Sequence, residues 1–348
     1  MPKVCLDLEK LKRPNSGLGK FCFHLSKAIA QKMPPEELCL YLPKSFASQF
    51  PNNKKIFHRD LHKFTGIKVD TDIWHSMHQE AVYFPKRKGY KLVVTIHDLN
   101  FLEKYTGIKQ KRQLQKLQKL VDKADAVVFI SKFTQKTANE HLNLSPTLVQ
   151  KVIYNGVAVD KSKKAKRPYF IADSKQPFLF TLGIMGEKKN FHTLVEMMKH
   201  IPLLKLYISG NKDTAYAKEI EQRIHQQHLE HRILLTGEIT EQEKIWLYKN
   251  CSAFVFPSLT EGFGLPVVEA MSFGKPLILS NKTSLPEIGG ELANYFTDFA
   301  PKNMAQTVVQ AIQSYSLKQS NQLIERSKIF SWKQAGEEYI RLYHSLLP

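Results

Sequence analysis

Two glutamates, Glu261 and Glu269, lie with seven residues between them in the segment 258–271, SLTEGFGLPVVEAM. A pair of carboxylates can act as acid and base toward a substrate, or it can hold hydroxyl groups by accepting hydrogen bonds. The alternative is a helix preceded by acidic loop residues with Glu269 in solvent, because most carboxylates in proteins serve no ligand.

The residues around this pair predict a strand, a tight turn and a helix. Residues 253–257 (AFVFP) are apolar and short, Gly262 and Gly264 allow a tight turn, and Pro266 is suited to the start of a helix. The N-terminus of a helix presents unpaired N–H groups and about half a positive charge, so it can bind an anion. We expect the glutamates to hold two parts of one polar, phosphate-bearing ligand.

A second anion site is predicted at residues 183–190 (GIMGEKKN), which follow the apolar run 178–182. Asn190 is suited to cap the next helix, which places Lys188 and Lys189 just before a helix N-terminus. If they face the helix start at 264–266, these lysines would neutralise a diphosphate from the other side. As a solvated pair they would be ordinary surface residues.

In the first half of the chain, Gly17 and Gly19 lie in the loop 14–19 (PNSGLG). They resemble a phosphate-binding turn, but Cys22 stands where a dinucleotide fingerprint has its third glycine, so a nicotinamide cofactor is not indicated. A flexible loop across a cleft and a plain tight turn are both consistent with this pattern.

Histidines near predicted strand ends are further candidates. His97 directly follows the apolar run 92–96, and ligands of doubly wound sheets bind at the carboxyl ends of strands, although a structural histidine would fit there too. His75 and His78 have no third ligand at a spacing suitable for a metal ion. We expect a loop or acceptor-side role for them.

Apolar strands alternate with helical patterns twice along the chain, which predicts an α/β protein with two doubly wound, mostly parallel sheets. The predicted strands are 4–8, 38–42, 73–75, 92–96 and 126–130, then 178–182, 204–209, 233–236, 253–257 and 276–280. We expect one domain at 1–165, a second at 166–330, and a helix at 331–348 that packs back on the first.

Length and composition narrow the class of protein. The chain has 348 residues, more than one hydrophobic core usually serves, and it is 43% hydrophobic without an apolar run that could span a bilayer. The first residues carry charges where a signal peptide is apolar. Four cysteines without paired spacing indicate reduced thiols, so we expect a cytoplasmic protein.

Charge is distributed unevenly between the two halves. Residues 1–174 contain 32 Lys and Arg against 15 Asp and Glu, whereas residues 175–348 contain 19 against 17. This asymmetry indicates an anionic partner of the first half, either nucleic acid, a membrane surface or a phosphorylated acceptor, unless the lysines merely decorate the surface. The basic helix predicted at 109–123 has an apolar face that suits the core, with membrane contact as the alternative.

Together these motifs resemble the retaining nucleotide-sugar glycosyltransferases of family 4, also called group 1, of the bacterial lipopolysaccharide or polysaccharide type. The resemblance implies the GT-B fold, in which two Rossmann-like domains face each other across a cleft. The matching motifs are SGLGKF (16–21), VVTIHDL (93–99), FISKFT (129–134), IYNGV (153–157), GIMGEKKN (183–190), SGNK (209–212), FPSLTEGFGLPVVEAMSFGKPLILSN (256–281) and SLPEIGG (284–290).

The resemblance implies donor-binding roles for residues of the central motif. Glu261 would hold hydroxyls of the donor sugar, and Glu269 would hold the ribose of the nucleotide. Backbone N–H groups of Phe263, Gly264 and Leu265 would bind the sugar and the distal phosphate.

The resemblance also implies roles outside that motif. Lys188 and Lys189 would bind the diphosphate, although Lys188 stands where family members commonly have arginine, so bidentate phosphate binding is lost. Gly17 and Gly19 would close a loop over the donor, and His97 would lie beside the transferred sugar. His97 and Lys189, together with the first glutamate, are the expected catalytic residues.

The implied reaction moves a hexose from a nucleotide-diphosphate sugar, such as UDP-glucose or GDP-mannose, to a lipid-linked or phosphorylated glycan acceptor, as in lipopolysaccharide core synthesis. No cofactor or metal ion is implied, since the nucleotide-sugar is a substrate. The candidate partners are this donor, the acceptor and, through the basic first domain, the inner-membrane surface, without specific nucleic acid. The alternatives are a nucleotide-sugar epimerase or phosphorylase of similar fold, and a basic nucleic-acid-binding protein.

Overall fold

The computed structural model describes residues 3–157, 159 and 161–347. The chain divides into two compact units, the first formed by the residues up to Gly156 and from Phe330 on, the second by Val157–Ile329. Each unit contains a parallel sheet with helices between its strands. The predicted α/β class with two Rossmann-like sheets is therefore confirmed.

Within the described residues, the sheet of the first unit has seven strands in the order β3-β2-β1-β4-β5-β6-β7, all parallel. Its inner strands are buried along nearly their whole length, as expected where helices cover both faces of a sheet. The strands are β1 Val4–Asp7, β2 Leu38–Leu42, β3 Lys54–Phe57, β4 Ile73–Ser76, β5 Lys91–Ile96, β6 Ala126–Phe129 and β7 Val149–Val152. The helices are α1 Gly17–Ala30, α2 His62–Thr65, α3 Phe101–Lys104, α4 Gly107–Val121, α5 Lys132–His141 and, from the end of the chain, α13 Trp332–Ser345.

The sheet of the second unit has six parallel strands among its described residues, in the order β10-β9-β8-β11-β12-β13. The strands are β8 Phe178–Leu182, β9 Lys205–Ser209, β10 Ile233–Gly237, β11 Ala253–Phe256, β12 Leu277–Ser280 and β13 Asn294–Phe296. The helices are α6 His192–Met198, α7 Ala215–Gln226, α8 Glu241–Asn250, α9 Leu265–Ser272, α10 Leu285–Gly289, α11 Pro301–Gln313 and α12 Leu317–Ser327.

The last helix, α13, is part of the core of the first unit. A Cβ added to Gly336 would lie 3.0 Å from Cβ of Ala28, so the absence of a side chain lets α13 approach α1 closely. Tyr343 and His75 are fully buried and hydrogen-bonded to each other at 2.7 Å, and Thr95 bonds the other ring nitrogen of His75 at 2.8 Å. His75 therefore lies within β4 as a structural residue, and the expected loop or acceptor-side role is wrong for it.

The strands that the sequence did not predict are β3, β7 and β13, and each lies at an edge of its sheet. Edge strands are partly exposed and therefore tolerate charged and polar residues, as in KKIF of β3 and VQKV of β7. Because such strands lack a continuous apolar run, the pattern that reveals inner strands does not detect them.

Two local expectations had different outcomes. Helix α4 buries Leu117, Leu120 and Val121 in the core of the first unit, so its apolar face is not available to a membrane. The sequence predicts that Asn190 caps a helix, and this prediction is wrong, because Asn190 adopts a left-handed conformation and α6 begins after Phe191 without a side-chain cap.

Candidate active site

The order of strands in the second unit brings two loops together. The chain runs from β8 outward through β9 and β10, then returns to place β11 on the other side of β8. Where strand order reverses in this way, the loops after the two central strands diverge and leave a crevice at their carboxyl ends. The loops concerned are 183–191 after β8 and 257–264 after β11, which contain the predicted lysines and the first glutamate.

Lys189 and Glu261 form an ion pair between these two loops. The Nζ atom of Lys189 contacts Oε1 of Glu261 and lies 4.7 Å from the centre of the Phe256 ring. Ser258 donates its hydroxyl to the same carboxylate oxygen at 2.7 Å. In the described part of the chain no group hydrogen-bonds to Oε2 of Glu261, so this oxygen remains for a ligand hydroxyl.

The turn that carries Glu261 is held in place by its neighbours. The carbonyl group of Lys188 accepts a hydrogen bond from the Leu259 N–H at 2.7 Å. The N–H group of Glu261 donates to Oγ1 of Thr283 at 3.0 Å, and its carbonyl accepts from the Ser284 hydroxyl at 3.0 Å. The carboxylate is thus positioned before any ligand binds, which lowers the cost of ordering the site.

Charge around Glu261 keeps the carboxylate ionised. Burial by itself raises the pKa of Glu261, but the positive charges of Lys189 and Lys188 and the hydrogen bonds outweigh it, and the net effect lowers the pKa below its ordinary value. Lys188 is exposed, whereas Lys189 is buried. The site therefore has one cation committed to the carboxylate and a second that reaches solvent.

Glu269 lies in α9 and is only 2% exposed, so the interpretation that places it in solvent is wrong. Tyr248 donates its hydroxyl to Oε2 at 3.0 Å, and Nζ of Lys244 lies 3.3 Å from Oε1. Lys244 also pairs with Glu241 at 3.0 Å. Burial, together with the nearby Glu269 charge, raises the pKa of the Tyr248 hydroxyl well above its ordinary value, so this group stays a donor.

Phe263, Gly264 and Leu265 lie at the start of α9, as the sequence predicts for this segment. Gly264 is the N-cap with a φ of 103°, and Leu265 begins the helix. The N–H groups in the first turn of a helix can bind an anion when they have no other partner. In α9, Pro266 has no N–H and Val267 donates its N–H to the Gly264 carbonyl at 2.9 Å, so in the described part of the chain the first-turn N–H that remains for an anion is that of Leu265.

His97 directly follows β5 in the first unit and is buried. Its Nε2 lies 2.8 Å from the carbonyl oxygen of Met77, which can only accept, so Nε2 carries the proton. Its backbone N–H donates to Oε1 of Gln79 at 3.1 Å, and its ring packs edge-on against Phe21. Burial lowers the pKa of His97 to about 4, so the ring is neutral at neutral pH and Nδ1 is an acceptor.

Gly17 and Gly19 lie in the first turn of α1 rather than in a flexible loop, so that interpretation is wrong. The N–H group of Gly19 donates to the Ser16 hydroxyl at 3.0 Å, and an added Cβ would lie 2.2 Å from the carbonyl oxygen of Arg13. Local packing therefore explains Gly19. A Cβ at Gly17 would meet no atom within 4 Å among the described residues.

Lys244 and Tyr248 are the polar partners that the sequence reasoning missed. A signal was present, because the helix predicted after Thr240 has the capping box that the structure shows, and residues four apart on it share a face. A buried lysine on that face requires an acidic partner, and Glu269 supplies it.

No helix among residues 3–157, 159 and 161–347 is long and apolar enough to cross a bilayer.

Two family models match adjacent parts of this chain. The family described as glycosyltransferase family 4 matches residues 33–161, and that described as glycosyl transferases group 1 matches residues 162–330. Among curated proteins, the chain is 24% identical to the O-antigen chain mannosyltransferase B of Escherichia coli, over 99% of this chain and 100% of that protein.

Solved structures show the same fold. Sucrose-phosphate synthase from Thermosynechococcus elongatus superposes with a TM-score of 0.78 at 18% identity, covering 99% of each chain. The Anabaena protein HepE, solved in complex with UDP-glucose, gives a TM-score of 0.76 at 18% identity, covering 99% of this chain and 100% of that one. From the matches to both halves and the shared architecture, the chain belongs to the group 1, family 4 glycosyltransferases with the GT-B fold.

Proposed function

We propose that the protein is a retaining glycosyltransferase that moves a hexose, with mannose as the first candidate, from a nucleoside-diphosphate sugar to a glycan of the O-antigen or lipopolysaccharide type. The observation that carries this proposal is the ion pair of Lys189 and Glu261 in a rigid turn at the switch point of the second sheet. The UDP-glucose complex of HepE supports the donor class, and the mannosyltransferase of E. coli supports the sugar.

The donor sugar and its diphosphate are assigned to this turn. Glu261 accepts hydrogen bonds from sugar hydroxyls through Oε2, while Lys188 and Lys189 neutralise the diphosphate. The N–H groups at the start of α9 bind the distal phosphate. Fixed charges of this kind stabilise the departing diphosphate without reorganising during the reaction, and each contributes about 2–4 kcal/mol.

The nucleoside is assigned to Glu269. Each of its carboxylate oxygens has one partner, Tyr248 or Lys244. A carboxylate oxygen can accept a second hydrogen bond, so the ribose hydroxyls can bind without displacing these partners. The two existing contacts fix the direction of the remaining acceptor sites.

The first unit is proposed to contribute His97 and the start of α1. His97 is neutral, and we assign its Nδ1 as an acceptor for a hydroxyl of the transferred sugar. We assign Gly17 to the donor phosphate, since the space beside Gly17 is open. Gly19 is assigned to the turn that positions Gly17.

In the proposed reaction the bond between the anomeric carbon and the phosphate oxygen breaks, and the acceptor oxygen attacks from the same face. The departing diphosphate takes the proton of the acceptor hydroxyl, so no protein nucleophile is required. Glu261 is paired with Lys189 and serves as a ligand for hydroxyls. Because lysines and helix N–H groups supply the positive charge, turnover is expected to persist in a chelator.

The acceptor is proposed to be lipid-linked or phosphorylated. The excess of 17 positive charges in residues 1–174 supports an anionic acceptor and contact with the cytoplasmic face of the inner membrane.

The test incubates the purified protein with GDP-mannose, UDP-glucose and other common donors, a lipid-linked glycan extract and EDTA. We expect transfer from one donor, with the anomeric configuration retained in the product by NMR. Absence of both transfer and donor hydrolysis with every donor would sink the proposal.

A matched pair of variants tests the site. Glu261→Gln is expected to reduce turnover at least 100-fold, because the neutral amide binds both Lys189 and sugar hydroxyls less well. Glu291→Gln changes an exposed glutamate of the same unit and should leave turnover unchanged. Equal activity of the two variants would contradict the role given to Glu261.

A further inference from the structure

The first unit exposes several large apolar side chains close together. Leu61 is 62% exposed, Phe64 is 78% exposed and Val82 is 53% exposed. Leu61 is the residue before α2, and Phe64 lies within this one-turn helix. Val82 precedes Tyr83, whose ring packs edge-on against His58 at a centroid distance of 4.8 Å.

Backbone hydrogen bonds hold the two segments side by side. The N–H group of Ile67 donates to the Phe84 carbonyl at 2.9 Å, and the Lys86 N–H donates to the Ile67 carbonyl at 2.9 Å. A Cβ on Gly66 would lie 3.0 Å from Cα of Lys86. Residues 57–68 and 82–88 therefore form one continuous surface, which we call the docking surface.

This surface is strongly basic. Its two segments contain six Lys and Arg residues and one acidic residue, Asp60. Asp60 pairs with Lys12 at 3.1 Å, and Arg87 pairs with Asp70 just outside the two segments, so one anion and one cation of this surface are already compensated. The Nζ atom of Lys63 lies 4.7 Å from the centre of the Phe64 ring, which puts a cation directly beside the most exposed apolar side chain.

Helix α4 is also basic but lacks this combination. Its leucines and Val121 pack into the core, and among its described residues Ile108 is the large apolar side chain with high exposure, at 73%. Exposed apolar side chains also occur in the second unit, for example Leu203 and Leu317 at 78% each. Within six residues along the chain, Leu203 has Lys199 and Lys205 and Leu317 has Lys318, which is fewer than the six Lys and Arg residues of the docking surface.

We propose that the docking surface binds an anionic lipid bilayer, with Leu61 and Phe64 entering the interface and the surrounding lysines and arginines neutralising lipid headgroups. Exposed apolar side chains with a basic rim are the features that bind a protein to the surface of an anionic membrane without spanning it. The inference rests on the proposed function for the lipid-linked acceptor, and it names the surface that would bring the first unit to that acceptor.

The test measures sedimentation of the full chain with vesicles of phosphatidylglycerol and phosphatidylcholine, without donor or acceptor. We expect binding to mixed vesicles and at least tenfold weaker binding to pure phosphatidylcholine or at high salt. Leu61→Ser with Phe64→Ser should weaken binding to mixed vesicles at least tenfold. Leu203→Ser with Leu317→Ser is the matched control, since each of these leucines is 78% exposed, and it should bind like the unmodified protein.

Turnover with a water-soluble acceptor fragment is measured in parallel, without vesicles, and should be the same in all three proteins. A Phe64→Trp variant should show a blue-shifted emission on mixed vesicles. Equal weakening by the control pair, binding that ignores lipid charge, or no binding at all would overturn the proposal. Because vesicle binding requires no donor, failure of catalysis would count only against the proposed function.

Discussion

At the scale of single residues, the site depends on a buried cation that has one carboxylate partner. An ion pair withdrawn from water is stable only while both charges are present, because removal of one leaves the other without compensation. Lys189 and Glu261 are about 10% and 12% exposed at their side chains. A diphosphate that binds beside Lys189 would therefore share the positive charge of this lysine with the carboxylate of Glu261.

Lys189→Gln is expected to weaken binding of the nucleoside diphosphate about 100-fold, since the amide carries no charge to offer the phosphates. Calorimetric titration with GDP and UDP measures the change. Lys199→Gln is the control, because Lys199 is half-exposed and pairs with Glu196 on the surface of the same unit. Unchanged affinity in the Lys189 variant would refute a contact between this lysine and the phosphates.

Asp7 lies at the end of β1 and is fully buried. Burial raises the pKa of Asp7 to about 7, against 3.8 in an exposed chain. In the folded state Asp7 therefore keeps its proton between pH 4 and pH 7, where the unfolded chain loses it. Asp7 therefore destabilises the folded protein progressively as pH rises through that window, and the penalty is constant above it.

Asp7→Asn removes the titration, so the variant should gain stability relative to the unmodified protein as pH rises from 4.5 to 8, by a few kcal/mol. Urea unfolding at several pH values measures the difference. The buried histidines His75 and His97 titrate in both proteins, so their contributions cancel in the difference between the two free energies of unfolding. A difference that does not depend on pH would show that Asp7 ionises normally.

The sequence predicted which segments carry Lys189 and Glu261 but not the contact between their side chains. That contact depends on the order of β8 and β11 in the sheet, which is a property of chain topology and not of either motif. Likewise, the burial of Glu269 by Tyr248 and Lys244 depends on how α8 packs against α9, which apolar spacing alone does not specify.

At the scale of elements, the start of α9 is fixed by a glycine that no other residue replaces without strain. Gly264 has a φ of 103°, and an added Cβ would lie 3.0 Å from Cδ2 of Leu285. Both effects act on the turn between Glu261 and the helix that carries Glu269. The geometry of the two carboxylates therefore depends on one backbone conformation.

Gly264→Ala is expected to lower the free energy of unfolding by about 1–3 kcal/mol, through the strained backbone and the close contact. It should also weaken donor binding, because the turn must shift. Thermal unfolding and GDP titration measure the two effects. Gly186→Ala is the stability control, since its φ is −157° and its added methyl meets no described atom within 4 Å.

Inner strands and long helices were predictable at this scale because burial imposes a continuous apolar run or a helical repeat. Edge strands such as β3 and β13 are stabilised by pairing with the neighbouring strand, so their own residues need not be apolar. The start of α6 is not predictable from residue type, because asparagine favours helix caps and left-handed positions alike, and Asn190 takes the left-handed position before Phe191.

At the scale of the whole molecule, the chain completes its first unit only with its last residues. It leaves that unit at Gly156, forms the second unit at Val157–Ile329, and returns with Phe330 and α13. An added Cβ on Gly156 would lie 2.2 Å from the backbone nitrogen of Trp332. The segment that leaves the first unit and the segment that returns to it are therefore in direct contact. The second unit, by contrast, is continuous in sequence.

Because α13 belongs to the first unit, the stability of the first unit depends on the C-terminal residues more than the stability of the second unit does. A chain ending at Ile329 loses Tyr339 and Tyr343, which are buried in the first unit and hydrogen-bonded to Thr95 and His75. Loss of so many buried contacts is expected to unfold that unit or leave it loosely packed, because a domain has only about 5–15 kcal/mol of stability in total. Every residue assigned to the donor site of the second unit is retained.

We therefore expect the truncated chain to lose glycosyl transfer and yet bind the nucleoside diphosphate within about tenfold of the full chain, since the lysines and glutamates of the second unit do not depend on α13. Hydrogen exchange should show β4 and β5 unprotected and β8 and β11 protected. Tyr343→Phe is the graded control, because it removes only the hydrogen bond to His75 and should cost about 1 kcal/mol without loss of activity. If truncation abolished nucleotide binding and unprotected both sheets together, the second unit would depend on the first for its folding.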